Sequence, residues 1–87
     1  MSQKIKQSDD IVIGRNIGIL RAEKNITQEG MATQLQLKGI SISRGTYSKI
    51  EMGTRHIEAN CLEAIRDILG TTYERLLAHT GETATPE

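Results

Sequence analysis

The side chains best suited to bind another molecule lie in one short segment, residues 38–55. This segment has four basic residues against the single acid Glu51, a net charge of +3, although the whole chain has a formal net charge of zero. The residues before it sum to +1, and those from His56 onward sum to −4. Arginine and lysine bind phosphate groups, and arginine also pairs with the edge of guanine through two hydrogen bonds. The charge distribution therefore predicts one anion-facing surface in the middle of the chain.

Residues that could support catalysis or hold a metal are sparse. Cys61 is the one cysteine, and the two histidines, His56 and His79, are far apart with no partner at ligand spacing. The sequence also lacks a phosphate-cradling glycine loop and a pair of carboxylates in a pocket-forming segment. We therefore expect no enzyme activity, no metal and no cofactor.

The same composition bounds where the protein works. One cysteine cannot form an internal disulfide framework, and it suits the reducing cytoplasm. No run of about 18 apolar residues and no signal-peptide pattern is present, so we expect no membrane association. The expected location is the cytoplasm.

The elements that must position the basic segment form a single all-helical domain. A chain of 87 residues has room for one domain. Apolar residues recur at helical spacing in five segments, and no segment of useful length alternates apolar and polar residues. We expect the domain to cover residues 9–78, preceded by a disordered polar arm (1–8) and followed by a flexible polar tail (79–87).

Each predicted helix has recognisable end signals. The first should cover residues 10–24, with Ile13, Ile17 and Leu20 on one face. The second should end near Lys38, the third should cover 44–52, the fourth should cover 59–69 and the fifth should begin after Thr72. Candidate N-cap residues are Thr27, Ser43 and Thr72. Candidate residues for the left-handed ends are Asn25, Gly39, Gly53 and Gly70. In the fourth helix, the predicted buried face is Leu62, Ile65 and Leu69.

Two short motifs connect these helices to a known family. Residues 27–32 read T-Q-E-x-x-A, and residues 43–55 read S-x-x-T-x-S-K-I-E-x-G-x-R. With these motifs, the stretch 13–77 resembles the phage repressor and Cro (Xre-type) helix-turn-helix family. The resemblance implies a five-helix, lambda-repressor-like DNA-binding domain in a bacterium or phage, associated with the nucleoid when bound. In such a domain the second and third helices form the helix-turn-helix, and the third enters the major groove of double-stranded DNA.

The resemblance also assigns residues to the DNA. Together with the exposed face of the third helix and the lengthened connection before it, the resemblance gives the set Thr27, Gln28, Lys38, Ser43, Arg44, Thr46, Ser48, Lys49, Thr54 and Arg55. Arg44 lies at the N-terminal end of the third helix, where it would contact a base edge or only phosphate. Gln28 would bind a phosphate and brace the first exposed side chain of that helix. Lys49, Thr54 and Arg55 would hold phosphates near its end.

Two residues of the motifs are expected to play no part in side-chain readout. Gly45 departs from the usual polar residue of the family, so readout there is lost, moved to Thr46 or Ser48, or replaced by close approach of the backbone. Glu51 would repel phosphates if it pointed outward. The family pattern instead pairs it with Arg21, as a largely buried ion pair between the first and third helices.

The connection before the third helix is longer than the family usually has. The passage from Leu35 to Ser43 takes eight residues, which we interpret as an extra turn of the second helix followed by a longer connection. Ile40 and Ile42 must then be buried to hold the third helix in place. Lys38 would contact phosphate at the groove edge or be a solvated lysine.

The C-terminal residues Tyr73, Leu76 and Leu77 have two open interpretations. They either form the interface of a homodimer that reads two half-sites of an operator, or they complete the core. We expect a transcriptional regulator, most simply a repressor. The alternative function is an antitoxin or regulatory subunit that binds a partner protein through its C-terminal helices, with which the acidic tail is compatible.

Overall fold

The computed structural model describes residues 7–78, which form five helices and, within that range, no strand. The helices are α1 (Gln7–Glu23), α2 (Gln28–Leu37), α3 (Arg44–Met52), α4 (Ala59–Leu69) and α5 (Tyr73–Leu77). The predicted all-α, five-helix class is confirmed. None of these helices is long and apolar enough to cross a membrane.

One predicted boundary is wrong. The N-terminal helix begins at Gln7, so the last two residues of the predicted arm 1–8 are helical. Asp9 and Asp10 lie in the first turn of α1, where carboxylates interact favourably with the positive end of the helix dipole. The remainder of the predicted arm (1–6), the predicted tail (79–87) and His79 lie outside the described residues.

The helix starts follow the prediction. Thr27 Oγ1 accepts a hydrogen bond from the amide of Gly30 at 2.9 Å, and Ser43 Oγ accepts one from the amide of Thr46 at 3.1 Å. The Thr72 hydroxyl caps α5 in the same way. Each cap satisfies one of the amide donors that a helix N-terminus leaves unpaired.

The helix ends follow it too. Asn25 adopts the predicted left-handed conformation with φ of 60°, and the three glycines predicted to end helices are left-handed as well, with φ of 90° at Gly39, 80° at Gly53 and 62° at Gly70. After each of them the chain turns back, and the next amide donates to a carbonyl of the last helical turn. At the end of α2, for example, the amide of Ile40 donates to the carbonyl of Leu35 at 2.9 Å. These reversals end each helix at a defined residue and turn the chain toward the next one.

The core forms where α1, α2, α3, α4 and α5 meet. Its fully buried side chains are Ile17, Met31, Leu35, Tyr47, Ile50, Ile65, Leu69 and Leu76. The predicted face of α4 needs a correction, because Cys61 and Ala64 are buried with Ile65 and Leu69, whereas Leu62 is only half-buried. The side of α4 that meets the core is thus centred between Cys61, Ala64, Ile65 and Leu69, with Leu62 at its edge.

Helix α1 touches α3 through glycine. A Cβ atom built on Gly14 would lie 2.2 Å from the carbonyl oxygen of Ile50, and one on Gly18 would lie 3.1 Å from Glu51 Oε1. At Gly14 the neighbouring atoms belong to the backbone and leave no room for a side chain, whereas at Gly18 the Glu51 carboxylate would have to shift. The two glycines, which weaken α1 as an isolated helix, therefore permit its close packing against the C-terminal half of α3.

A buried asparagine, which the sequence analysis did not single out, ties α5 to α1. The Asn16 amide nitrogen donates to the carbonyl of Leu76 at 2.8 Å and to that of Ala78 at 2.7 Å. These carbonyls lie at the C-terminal end of α5, where no further helical turn supplies donors. Asn16 thereby closes a helix of five residues that is too short to be stable by itself.

The long connection between α2 and α3 is anchored at both of its isoleucines. Ile40 and Ile42 are half-buried and pack against the core, as the sequence analysis required. The Gln36 side-chain amide also donates to the carbonyl of Ile42 at 2.7 Å. The end of α2 therefore holds the chain directly before Ser43, and the start of α3 is held in a defined place.

Candidate nucleic-acid interface

Helix α3 has one face in the core and the opposite face in solvent. Tyr47 and Ile50 point inward and are buried. On the opposite side, Gly45, Lys49 and Met52 are exposed, and Arg44 is exposed at the N-terminal end. A helix that displays one polar face in this way can offer it to a groove while its other face fixes its position.

Glu51 is the centre of a polar network that holds α3 against α1 and α2. Arg21 donates from Nε to Glu51 Oε2 at 2.6 Å and from Nη2 to Oε1 at 3.1 Å. The side chains of this ion pair are 18% and 10% exposed. Gln28 donates to Oε1 at 3.0 Å, and the Tyr47 hydroxyl donates to Oε2. The structure thus contains the ion pair that the resemblance implied, with two neutral donors added.

The network shifts the proton affinity of its members. Burial alone would raise the pKa of Glu51, but the hydrogen bonds from Arg21, Tyr47 and Gln28 outweigh it and hold that pKa below its ordinary value. Burial and the hydrogen bond to the carboxylate raise the pKa of Tyr47. Glu51 is therefore ionised and Tyr47 neutral at physiological pH. The carboxylate is turned inward, so the negative charge of α3 is neutralised inside the domain.

Gln28 differs in part from the prediction. It was expected to brace the first exposed side chain of α3, which is Arg44, and to bind phosphate. Its amide nitrogen instead donates to Glu51, seven residues further along the helix. The reason is geometric, because the N-terminus of α2 lies beside the C-terminal half of α3. An amide nitrogen carries two hydrogens, so one donor of Gln28 is left for a phosphate.

Most of the predicted hydroxyl contacts are already engaged in helix ends. Thr27 Oγ1 caps α2, and Ser43 Oγ both caps α3 and donates to Thr46 Oγ1 at 3.1 Å. Thr54 Oγ1 donates to the carbonyl of Lys49 at 3.3 Å. The first role of these groups is to fix the two ends of α3 and the start of α2.

The predicted cations fall into two groups. Arg44, Lys49 and Arg55 are exposed, and none of them forms an ion pair with another residue of the range 7–78. Arg55 and Thr46 line one shallow pocket of about 220 Å³ beside the long connection. Lys38 lies elsewhere, in an open depression that it shares with Glu63 and Asp67 of α4. Both acids are paired with Arg66, and Lys38 is exposed at the edge of this depression, outside helix α3.

One exposed residue of α3 was missing from the sequence-based set. Met52 is 62% exposed although it is large and apolar. The hydroxyl of Ser48, one turn earlier, donates to the sulfur of Met52 at 3.9 Å. The spacing of Arg44, Ser48 and Met52, four residues each, could have pointed to Met52 from the sequence.

The three C-terminal candidates separate in the structure. Leu76 is fully buried in the core, so its assignment to a dimer interface is corrected to core packing. Tyr73 is 40% exposed, with the Arg66 guanidinium 4.7 Å from its ring centre, and Leu77 is 46% exposed. Ile19 of α1 is also exposed and lines a depression next to the end of α5. The exposed apolar surface at this end of the molecule therefore comes from α1 and α5 together.

With five helices packed in this way and α3 presented as described, the domain has the architecture of a helix-turn-helix protein. The family profile described as Helix-turn-helix matches residues 17–76, and the chain belongs to that family. The fold is similar to the crystal structure of the DNA-binding domain of BldD, with a TM-score of 0.69 and 15% sequence identity over 85% of this chain and 100% of that one. No curated protein matches the chain significantly in sequence.

Proposed function

We propose that this protein is a sequence-specific double-stranded DNA-binding transcriptional regulator of the Cro/C1 type. It acts as a repressor, as a homodimer that places one α3 helix of each subunit in the major groove of an operator. As a repressor, it would act by occupying its operator, so that other proteins are excluded from the same stretch of DNA.

The observation that carries the proposal is the way α3 is held. Arg21 of α1 and Gln28 of α2 both bind Glu51, and Tyr47 and Ile50 anchor the same helix in the core. The opposite face, which begins with Arg44, has no contact with the rest of the described chain that would cover it. A rigid helix with an uncovered polar face supports groove reading, since base contacts need side chains held in a fixed register.

The charge of the surface supports the same role. Because Arg21 neutralises Glu51 inside the domain, the cations Arg44, Lys49 and Arg55 act on the outside without a compensating acid on α3. Arg44 at the N-terminal end of α3 is suited to two hydrogen bonds with guanine. Lys49 and Arg55, at and after its C-terminal end, are suited to phosphate. The similar fold of the BldD domain, which binds DNA, is consistent with this assignment.

The homodimer would form through the exposed apolar surface of α1 and α5. Ile19 of α1 and Leu77 of α5 are its exposed aliphatic side chains, and Tyr73 contributes a ring that stacks under Arg66. A two-fold dimer presents two α3 helices about one DNA turn, roughly 34 Å, apart. Replacing Leu77 by Asp would then yield a folded monomer in analytical ultracentrifugation, with weaker operator binding.

Selection of bound sequences from a random DNA library, at stated salt, tests the proposal directly. The expected result is an enriched sequence with two-fold symmetry. On that sequence, Arg44→Ala should cost about 1–3 kcal/mol of binding free energy and relax the preference at one base pair. Lys49→Ala should weaken all sequences alike and lower the salt slope by about one.

Two basic residues outside the surface of α3 give matched controls. The Lys24 ammonium group lies near Gly70 at the end of α4, and Arg66 is held by Asp67 and Tyr73. Lys24→Ala should leave both the affinity and the preferred sequence unchanged, and Arg66→Ala, which lies beside the proposed dimer surface, should leave the preferred sequence unchanged. If no sequence is enriched, or if the α3 variants bind DNA as the controls do, groove reading is refuted and a protein partner at the C-terminal helices is favoured.

A further inference from the structure

Met52 is the one large apolar side chain on the exposed face of α3, where the other side chains are those of Arg44, Ser48 and Lys49. It is the last residue of the helix and is 62% exposed. It shares a side of α3 with Gly45, because seven residues make about two helical turns. This side points directly away from Tyr47 and Ile50, which are buried. A large apolar group in this position is costly in water, and it gains by contact with an apolar group of a partner.

The Met52 side chain points toward the N-terminal end of α3, where Arg44 lies. Helical side chains lean toward the N-terminus, and here the Ser48 hydroxyl donates to the Met52 sulfur at 3.9 Å. The thioether therefore lies over the preceding turn. Met52 thus approaches the middle of the exposed face, although its backbone lies at the C-terminal end of α3.

Gly45 leaves space on the same side of α3. A Cβ atom built there would have only Ser43 Oγ within 4 Å, at 3.9 Å, and Gly45 is not among the residues with positive φ. Every other glycine within residues 7–78 either has positive φ or would place a Cβ within 3.2 Å of a neighbour. The fold therefore gives no reason for glycine at position 45. Glycine destabilises a helix relative to alanine, and a partner that occupies the space beside position 45 would explain why glycine stands there.

We propose that Met52, together with the space beside Gly45, recognises the 5-methyl groups of thymine in the major groove. The thymine methyl is the apolar group that base pairs present in this groove, and apolar side chains are its usual contacts. The absence of a side chain at Gly45 lets one base edge approach the backbone of α3. Met52 covers a thymine methyl group that lies one to two helical turns closer to the C-terminus of α3. This inference rests on the proposed function. It specifies that the centre of α3 selects A·T base pairs through the thymine methyl group.

The test removes single methyl groups from the selected operator. Each thymine of a half-site is replaced in turn by deoxyuridine, which pairs identically but lacks the methyl, and the dissociation constant is measured. At one or two thymines the wild-type protein should bind about fourfold more weakly, the factor that corresponds to about 0.8 kcal/mol for one buried methyl group. Deoxyuridine placed outside the half-sites is the DNA control and should have no effect.

Three variants assign that effect to the residues. Met52→Gln, which is similar in length but polar, should bind the thymine and deoxyuridine operators equally at the affected position, whereas Met52→Leu should keep the difference. Gly45→Ala should reduce the difference at a thymine nearer the N-terminus of α3. Its melting temperature should be equal or higher, because the added methyl meets only Ser43 at 3.9 Å. If Gly45 served only the fold, Gly45→Ala would not weaken DNA binding while leaving the melting temperature unchanged or higher.

The results separate this inference from the function on which it rests. If an operator is found and Arg44→Ala weakens binding to it, but no half-site thymine is sensitive to deoxyuridine, the inference is overturned and the function stands. Equal methyl sensitivity in the wild type and in Met52→Gln overturns it as well. If no sequence is enriched, the proposed function itself has failed.

Discussion

Replacing Arg21 by methionine is expected to destabilise the domain strongly. The substitution keeps a similar side-chain length but removes both donors to the Glu51 carboxylate, at 2.6 and 3.1 Å, and the donor to the carbonyl of Ile26 at 2.7 Å. Glu51 would then remain between α1 and α3 with only the neutral donors Gln28 and Tyr47. A buried carboxylate without a counter-charge is costly because it has lost its water.

The expected size follows from the burial of the pair. Breaking a buried ion pair by removing one partner costs about 3–5 kcal/mol. The Arg21 and Glu51 side chains are still 18% and 10% exposed to solvent. We therefore expect a loss at the lower end of this range, about 3 kcal/mol of unfolding free energy. In a domain of this size 1 kcal/mol corresponds to about 4–8 °C, so the melting temperature should fall by about 12–24 °C.

Thermal and urea unfolding followed by far-ultraviolet circular dichroism measures the effect. The double variant Arg21→Met, Glu51→Gln should recover most of the loss, since no charge is then left unpaired and the amide oxygen can still accept from Tyr47. Arg66→Met is the matched control, because Arg66 is paired with Asp67 on the surface of α4 at 2.8 Å. The reasoning is refuted if Arg21→Met is no more destabilising than Arg66→Met, or if the double variant is as unstable as Arg21→Met.

Three further predictions concern the same packing. The pKa of Glu51 is lowered from 4.5 in the folded state, so the stability it contributes is full above about pH 4.5 and is lost as the pH falls further. Urea unfolding across this range should give a flatter curve for Glu51→Gln, and parallel curves would contradict the assignment. Gly14→Ala should cost about 1–3 kcal/mol in thermal unfolding because its Cβ would lie 2.2 Å from the Ile50 carbonyl oxygen, whereas Gly45→Ala should cost nothing. Equal stability of the two variants would rule out close helix contact as the cause. Asn16→Ala should cost about 1–3 kcal/mol and speed amide hydrogen exchange in α5 first, and uniform exchange would argue against a local tie.

The ends of the helices could be predicted because their causes are local. A hydroxyl before a helix has its amide partner three residues away, and a left-handed residue after a helix is chosen by backbone sterics at that one position. Ser43 and Gly53, which bound α3, were both identified in this way. The start of α1 was less predictable. Asp9 and Asp10 favour the first turn of a helix, but they would do so for a helix that begins at any of several neighbouring residues, and α1 begins at Gln7.

What could not be predicted depends on contacts between segments far apart in the chain. Gln28 and Glu51 are 23 residues apart, and their hydrogen bond follows from how α2 lies against α3. Asn16 is 60 residues from Leu76, so its pairing with the end of α5 has no local signal. The burial of Leu76 beside the exposed Leu77 has the same origin, since a five-residue helix has too few turns to show which side meets the core.

The buried phenol at the centre of the network also makes the domain its own optical reporter. The chain has two tyrosines, no tryptophan and no phenylalanine. Burial and the hydrogen bond to Glu51 raise the pKa of Tyr47 above its ordinary 10.0, so this phenol resists ionisation while α3 stays docked. In a stepwise alkaline jump, tyrosinate absorbance from Tyr47 would therefore develop as the core around this phenol opens. The release of α3 from the core could be followed without attaching a label.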